Sequence, residues 1–162
     1  MSTKIVKAGE LQAISAKLRA AGKKLVVTNG CFDLLHAGHV RYLQAARQLG
    51  DILAVGINSD ASTRSLKGEG RPINCESERA EVLAALACVD YVTIFREVRA
   101  TRFLIAASPA VYAKGGDYTA DTLDVEERAA IKKVGAEIRI LPLESGYSTS
   151  ALIERIRQSC AT

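Results

Sequence analysis

The sequence predicts an α/β fold of the doubly wound, Rossmann-like kind, a five-stranded parallel sheet with helices on both faces. Three observations predict it. Strand-like and helix-like segments alternate along all 162 residues, the order that builds parallel strands joined by helical crossovers. The strand-like segments are short and continuously apolar, as in "LVV" and "ILAVGI", which suits strands buried on both faces. Turn residues follow the first, second and fourth of them ("TNG", "NSD", "KGG"), and no internal repeat or low-complexity tract interrupts the series.

Taken in order, residues 8–20 (AGELQAISAKLRA) carry Leu11, Ile14 and Leu18 on one face of a helix. "KLVVTNG" is the first strand. A helix then opens at about His36, with Val40, Leu43 and Ala46 or Arg47 at helical spacing and Gly50 as a stop. "DILAVGIN" is the second strand, and "SDASTRSLKGEGRP" is expected to be a polar loop. "CESERAEVLAALAC" reads as a helix, "VDYVTIF" as the third strand and "ATRFLIAAS" as a short helix. "AVYAKGG" is the fourth strand, "DTLDVEERAAIKKVG" a helix and "EIRILPL" the fifth strand. "STSALIERIRQ" closes the series as a helix with a hydroxyl residue suited to its N-cap. Residues 1–162 are expected to form a single domain, with right-handed crossovers.

Composition narrows the class. With 48% hydrophobic and 25% charged residues the chain is not a disordered one. No apolar run approaches the roughly 20 residues of a membrane span, and "MSTKIVKAGELQ" lacks the apolar stretch of a secretory leader. A cytoplasmic location without membrane insertion is therefore expected. Cys31, Cys75, Cys88 and Cys160 show neither zinc-site nor disulfide-framework spacing, and Cys31 reads as a small packed side chain. The net charge of +4 is spread along a chain with three Phe, five Tyr and no Trp, unlike the basic, aromatic-laced stripe of a nucleic-acid binder. A small phosphorylated ligand fits that charge equally well.

In such sheets ligands bind beyond the carboxyl ends of the strands, so the loops there hold the functional candidates. After the first strand, "TNGCFDLLHAGH" brings both histidines of the chain, His36 and His39, into one turn that opens a helix. A helix start offers free N–H groups and the positive end of a dipole, and imidazole donors beside it would suit the spread charge of a phosphoryl-transfer transition state. Metal ligation and a purely structural role are the alternatives. The first needs nearby carboxylates, and only Asp33 is close in sequence. After the second strand, Arg64, Lys67 and Arg71 lie in a Gly-containing loop suited either to closing over phosphates or to solvent. Lys114 to Tyr118 ("KGGDY") permits close backbone approach, or is a simple turn. Ser148, Thr149 and Ser150 open the last helix as a second anion site, or as an ordinary cap. All four loops fall at one sheet edge. No G-x-G-x-x-G follows the first strand, which speaks against a dinucleotide-binding dehydrogenase.

"TNGCFDLLHAGHVRYLQAARQLGD" resembles the H-x-G-H signature of the cytidylyltransferase-like nucleotidyltransferases, and "GYSTSAL" resembles their second signature. Within that superfamily, "VGINSDASTRSLKGEGRPIN" and "KGGDYT" are most similar to the heptose 1-phosphate adenylyltransferases, over roughly Leu25 to Ile156. The resemblance implies a reaction of ATP with a sugar 1-phosphate to give ADP-heptose and pyrophosphate, Mg²⁺ travelling on the triphosphate and no metal held by protein ligands. It implies catalytic roles for His36, His39 and Lys67. It places Thr28, Asn29, Gly30, Phe32, Asp33 and Gly38 around the nucleotide, with Lys114, Gly115 and Asp117 framing it. Arg79 would approach the phosphates, Asp60 would orient, and Ser148 and Thr149 would hold the β and γ phosphates. A homodimer or larger homo-oligomer is expected, with the sugar kinase a separate protein. Leu143 stands where cytidylyltransferases for alcohol phosphates carry an arginine, which favours adenylyl transfer. A cytidylyltransferase, an adenylyltransferase for another phosphorylated acceptor, and a non-catalytic nucleotide-binding module are the alternatives.

Overall fold

In the computed structural model, residues 2–116, 122–142 and 146–160 are described, and five parallel strands form one sheet. The strands are β1 (Leu25–Gly30), β2 (Ile52–Asn58), β3 (Tyr91–Phe95), β4 (Val111–Gly115) and β5 (Glu137–Leu141). The helices are α1 (Ala8–Ala20), α2 (Ala37–Arg47), α3 (Asp60–Lys67), α4 (Glu76–Ala85), α5 (Thr101–Ala107), α6 (Val125–Val134) and α7 (Thr149–Cys160). Strand order is β3-β2-β1-β4-β5. The chain therefore winds outward from β1 in one direction, then crosses to β4 and winds the other way, leaving the order reversal between β1 and β4.

Successive strand residues serve opposite faces, as the period of two requires. Val26, Leu53, Val55, Ile57 and Val92 pack with Leu43 and Ala46 of α2 and Leu83 of α4. Leu25, Val27, Ala54 and Tyr112 pack on the other face with Leu11 of α1, Phe103 and Leu104 of α5, and Ile131 of α6. Both faces being covered explains the uninterrupted apolar runs of the central strands. Gly56 in β2 makes the second layer possible, because a Cβ there would lie 2.5 Å from the Phe103 ring.

One segment departs from the sequence-based expectation. Residues 60–67, expected within a loop, form α3. Ser59 caps it by accepting the Ser62 N–H at 3.3 Å, Asp60 sits in its first turn and Arg64 and Lys67 in its last. Its buried side is made of Ser62 and Thr63 rather than apolar residues, so hydrophobic periodicity gave no sign of it. Gly68 ends it at φ +90. Gly50 does not stop α2 directly; the helix caps at Gln48 and Gly50 lies in the turn beyond.

Candidate active site

At the carboxyl edge of the sheet, over the reversal between β1 and β4, lies an open cavity of about 700 Å³. His36 and His39, Lys67, Lys114 with Gly115, and Ser148 with Thr149 all line it. The loops after β1, β4 and β5 and the end of α3 thus meet in one space.

The histidines are organised as a stack. His36 is the N-cap of α2 and His39 lies in its first turn; their rings stand 3.9 Å apart at 23°. Phe32 covers the outer face of His39 at 5.3 Å, and Tyr147 lies against His36 at 6.0 Å. The Arg41 guanidinium sits 5.4 Å over the Tyr147 ring. Burial, then the neighbouring His36, pushes the His39 pKa down to about 4. Burial also lowers that of His36. Both imidazoles are therefore neutral at pH 7, each with one N–H to give. Neither Nδ1 has a hydrogen-bond partner among the described residues. Gly38 permits the stack, since a Cβ there would lie 2.8 Å from Tyr147 Cβ and 3.1 Å from His36 Nδ1.

The loop that carries them is clamped from below. Asp33 accepts from Arg71 Nε at 2.6 Å, and from the backbone N–H groups of Ile73 and Asn74 at 2.9 Å. Burial alone would raise its pKa; the N–H groups of Asn74 and Ile73 and the Arg71 guanidinium outweigh burial and hold it below the ordinary carboxylate value. Asp33 is thus a fixed anion that joins the post-β1 loop to residues 71–74. Phe32 adopts φ +46, a conformation few side chains take, with its ring 3.1 Å from where a Gly30 Cβ would stand. Thr149 Oγ1 donates to Leu34 O at 3.3 Å, and Ser148 Oγ caps α7 by accepting the Ala151 N–H at 3.0 Å. The starts of α2 and α7 are joined in this way across the cavity wall.

A family model described as cytidylyltransferase-like matches residues 27–155. The chain belongs to the cytidylyltransferase-like family. Among curated relatives, the bifunctional protein HldE of Pelobacter propionicus is 52% identical over 138 residues, covering 85% of this chain and 28% of that protein. The bifunctional protein HldE of Nitratiruptor sp. is 46% identical over 151 residues, covering 93% of this chain and 31% of that protein. The chain thus spans less than a third of the length of these relatives. A solved lipopolysaccharide core biosynthesis protein from Thermoplasma volcanium matches with a TM-score of 0.64 and 29% identity, over 78% of this chain and all of that one. A pantoate-beta-alanine ligase from Francisella tularensis matches at 15% identity and a TM-score of 0.58, over 90% of this chain and 68% of that one, a likeness of fold alone.

Against this cytidylyltransferase-like frame the expected site residues divide. Asn29, Gly30, Phe32, Asp33 and Gly38 line the cavity with the seven residues named first. Three do not. Thr28 is fully buried and donates to Tyr42 Oη at 2.7 Å, while Tyr42 donates to Ala113 O at 3.1 Å. Burial pushes the Tyr42 pKa up to about 12, so this chain of hydroxyls stays protonated and ties α2 to β1 and β4. Arg79 is 2% exposed. Its guanidinium donates to Cys31 O, Asn58 O, Asn74 O and Asp60 Oδ1, so it binds protein oxygens rather than facing the cavity. Asp60 is its ion partner at 2.8 Å. A motif match places a residue in sequence but not the direction of its side chain, and a buried arginine satisfied by three carbonyls has no apolar neighbour pattern to announce it. Asp117 and Leu143 lie outside the described residues. Sequence reasoning missed Tyr147, the outer plate of the stack, and Glu127, a buried carboxylate on α6 that reaches the cavity. The aromatic beside "STS" was the available signal for Tyr147; one of two adjacent glutamates in a charged helix gave none for Glu127.

Proposed function

We propose that this domain is an adenylyltransferase that joins AMP from ATP to a sugar 1-phosphate, most closely a heptose 1-phosphate, releasing pyrophosphate. The observation that carries the reading is the meeting of two neutral, stacked histidines at the start of α2 with Ser148 and Thr149 at the start of α7, in one cavity with Lys67. Two helix N-termini, imidazole N–H groups and a lysine form a set of donors for phosphate oxygens. The bifunctional relatives at about half identity and the lipopolysaccharide core protein support a sugar-phosphate acceptor.

On this reading an oxygen of the sugar phosphate attacks the α-phosphorus in line, the bond to the β-phosphate oxygen breaks, and pyrophosphate departs. The attacking phosphate is already an anion at neutral pH, so no general base is needed. His36 and His39 give their N–H groups to the α-phosphoryl oxygens as charge builds there. Neutral rings stacked 3.9 Å apart avoid the repulsion that two imidazolium ions would suffer. Ser148, Thr149 and the start of α7 hold the leaving phosphates, and Lys67, at the end of α3 before Gly68, closes toward them. Magnesium enters as part of the substrate on the triphosphate. The acceptor arrives already phosphorylated, and the expected assembly is a homodimer or larger homo-oligomer, checked by sedimentation.

Pyrophosphate release, measured with each of four nucleoside triphosphates against heptose 1-phosphate, glycerol 3-phosphate and pantetheine phosphate, tests the reading. ATP with the sugar phosphate should give the largest kcat/KM. A CTP preference would replace adenylyl with cytidylyl transfer, and no release from any pair would overturn the enzyme reading. His39→Ala should lower kcat by about two to three orders of magnitude, as loss of one transition-state donor does.

A further inference from the structure

Glu127 of α6, a buried carboxylate 5% exposed, reaches the cavity and takes no part in the transfer described above. Its two oxygens have different partners. Oε1 accepts the backbone N–H of Ala100 at 3.0 Å, fixing the carboxylate to the start of α5. Oε2 lies 3.5 Å from Lys114 Nζ and 3.3 Å from the Tyr112 hydroxyl. Lys114 Nζ in turn donates to Tyr112 Oη at 3.1 Å, and Tyr112 Oη lies 2.6 Å from Asn29 Oδ1.

These contacts have a direction. An ammonium only donates, so Tyr112 Oη accepts from Lys114. The tyrosine has one proton, and it goes to the shorter contact, Asn29 Oδ1 at 2.6 Å. Asn29 Oδ1 is thereby the accepting end of its amide, and Nδ2 is the donating end. No hydrogen bond among the described residues takes that Nδ2, and Asn29, partly exposed at the end of β1, lines the cavity. The ammonium on its lone pair thus opposes the reverse arrangement, in which Tyr112 Oη accepts from Asn29 Nδ2 and the amide is turned over.

We propose that Glu127 is a positioning residue: through Lys114 and Tyr112 it holds the Asn29 side-chain amide with its NH₂ toward a phosphate oxygen of the substrate. The inference rests on the adenylyltransferase reading, and it makes Asn29 a donor that joins the two histidines. The ligand oxygen belongs to a phosphate rather than to a sugar hydroxyl, because the amide shares the cavity with the Lys114 ammonium, Lys67 and both histidines, while the lining carboxylates Asp33 and Asp124 are taken by Arg71, Arg99 and backbone N–H groups. The nearby carboxylate of Glu127 is turned toward Lys114 and the Ala100 N–H rather than toward the ligand.

The test is a double-mutant cycle on full-length protein, read as kcat/KM for pyrophosphate release from ATP and the sugar phosphate, with urea midpoints for each variant. Glu127→Gln and Tyr112→Phe should each lower kcat/KM about tenfold, and the double variant should be no worse than the weaker single, because both act through one amide. A merely structural role would give multiplying losses that track the urea midpoints, and that result overturns the proposal. Asn29→Ala and Asn29→Asp separate the ligand types without touching the buried charges. A carboxylate can accept from a sugar hydroxyl but repels a phosphate, so Asn29→Asp should fall at least about tenfold below Asn29→Ala. Asn29→Asp matching or exceeding Asn29→Ala would overturn the phosphate assignment. An inactive wild-type protein would overturn the adenylyltransferase reading itself, whereas an active wild type with multiplying losses overturns only the role of Glu127.

Discussion

Replacing Arg79 by Met should unfold this domain more readily without selectively weakening nucleotide binding. The side chain is wholly buried, and its guanidinium donates at 2.8 Å to Asn58 O, at 3.0 Å to Asn74 O and at 2.8 Å to Asp60 Oδ1, with Cys31 O as a fourth acceptor. Methionine fills a similar volume but removes all four of those donations. The Asp60 side chain is 32% exposed, so water takes over part of its charge. The carbonyls lose charged donors at roughly 1–3 kcal/mol for each buried acceptor left short, with Asn58 O keeping only a longer bond from Thr63 Oγ1 at 3.4 Å and the half-buried Cys31 open to the cavity. Together the loss is about 3–5 kcal/mol, or on the order of 10 °C in Tm for a domain of this size. Urea denaturation followed by circular dichroism should show a lower midpoint with an unchanged slope. Arg79→Lys should fall between, because three donors at one point cannot reach four acceptors held by separate segments. An Arg79→Met protein with an unchanged midpoint and a raised KM for ATP would refute this, and would mean the guanidinium faces substrate after all.

Acid should act through the histidine stack. His39 has a folded pKa of about 4 against an unfolded 6.5, so the unfolded chain binds more protons between those values. The stabilisation from keeping it neutral is fully present above pH 6.5 and is lost as pH falls toward 4, by about 2 kcal/mol after allowance for partial exposure. Urea midpoints across that range should fall for the wild type and fall less steeply for His39→Gln; parallel slopes would contradict the buried neutral imidazole. Gly38→Ala should cut kcat by at least tenfold with a near-native circular dichroism spectrum, because the added Cβ drives Tyr147 and His36 apart. Native turnover in that variant would show that the stack is not needed. Cys31 lines the cavity, but its Sγ lies 4.0 Å from Asn58 Oδ1 and is not among the donors assigned to phosphate, so Cys31→Ala should stay within a few-fold of wild-type activity.

The sheet was legible because each central strand is buried on both faces, so that "LVVTNG" and "ILAVGIN" carry an uninterrupted apolar signal. The start of α2 was legible because a turn with two histidines is rare in a chain that has only two. α3 was not, since its buried side is hydroxyl-bearing and its cap is a serine bond visible only in three dimensions. Arg79 was placed correctly along the chain and wrongly in depth. Spacing brings it near the loop of Cys31, but the depth of a side chain is set by carbonyls from Cys31, Asn58 and Asn74, which converge from three separate segments. Glu127 illustrates the same limit: its partners Ala100, Tyr112 and Lys114 belong to α5 and β4 and their approaches, and nothing within "DVEERAAI" separates it from its exposed neighbour Glu126.

The most direct measurement follows the α-phosphorus. ATP labelled at the α-phosphate is incubated with heptose 1-phosphate and the wild-type, His36→Ala and His39→Ala proteins, and the products are separated. The expected result is label in a nucleotide-sugar product formed in step with unlabelled pyrophosphate, at a rate reduced at least about a hundredfold in each histidine variant. Label remaining in ATP, or appearing in ADP with release of orthophosphate, would contradict transfer at the α-phosphate in this cavity.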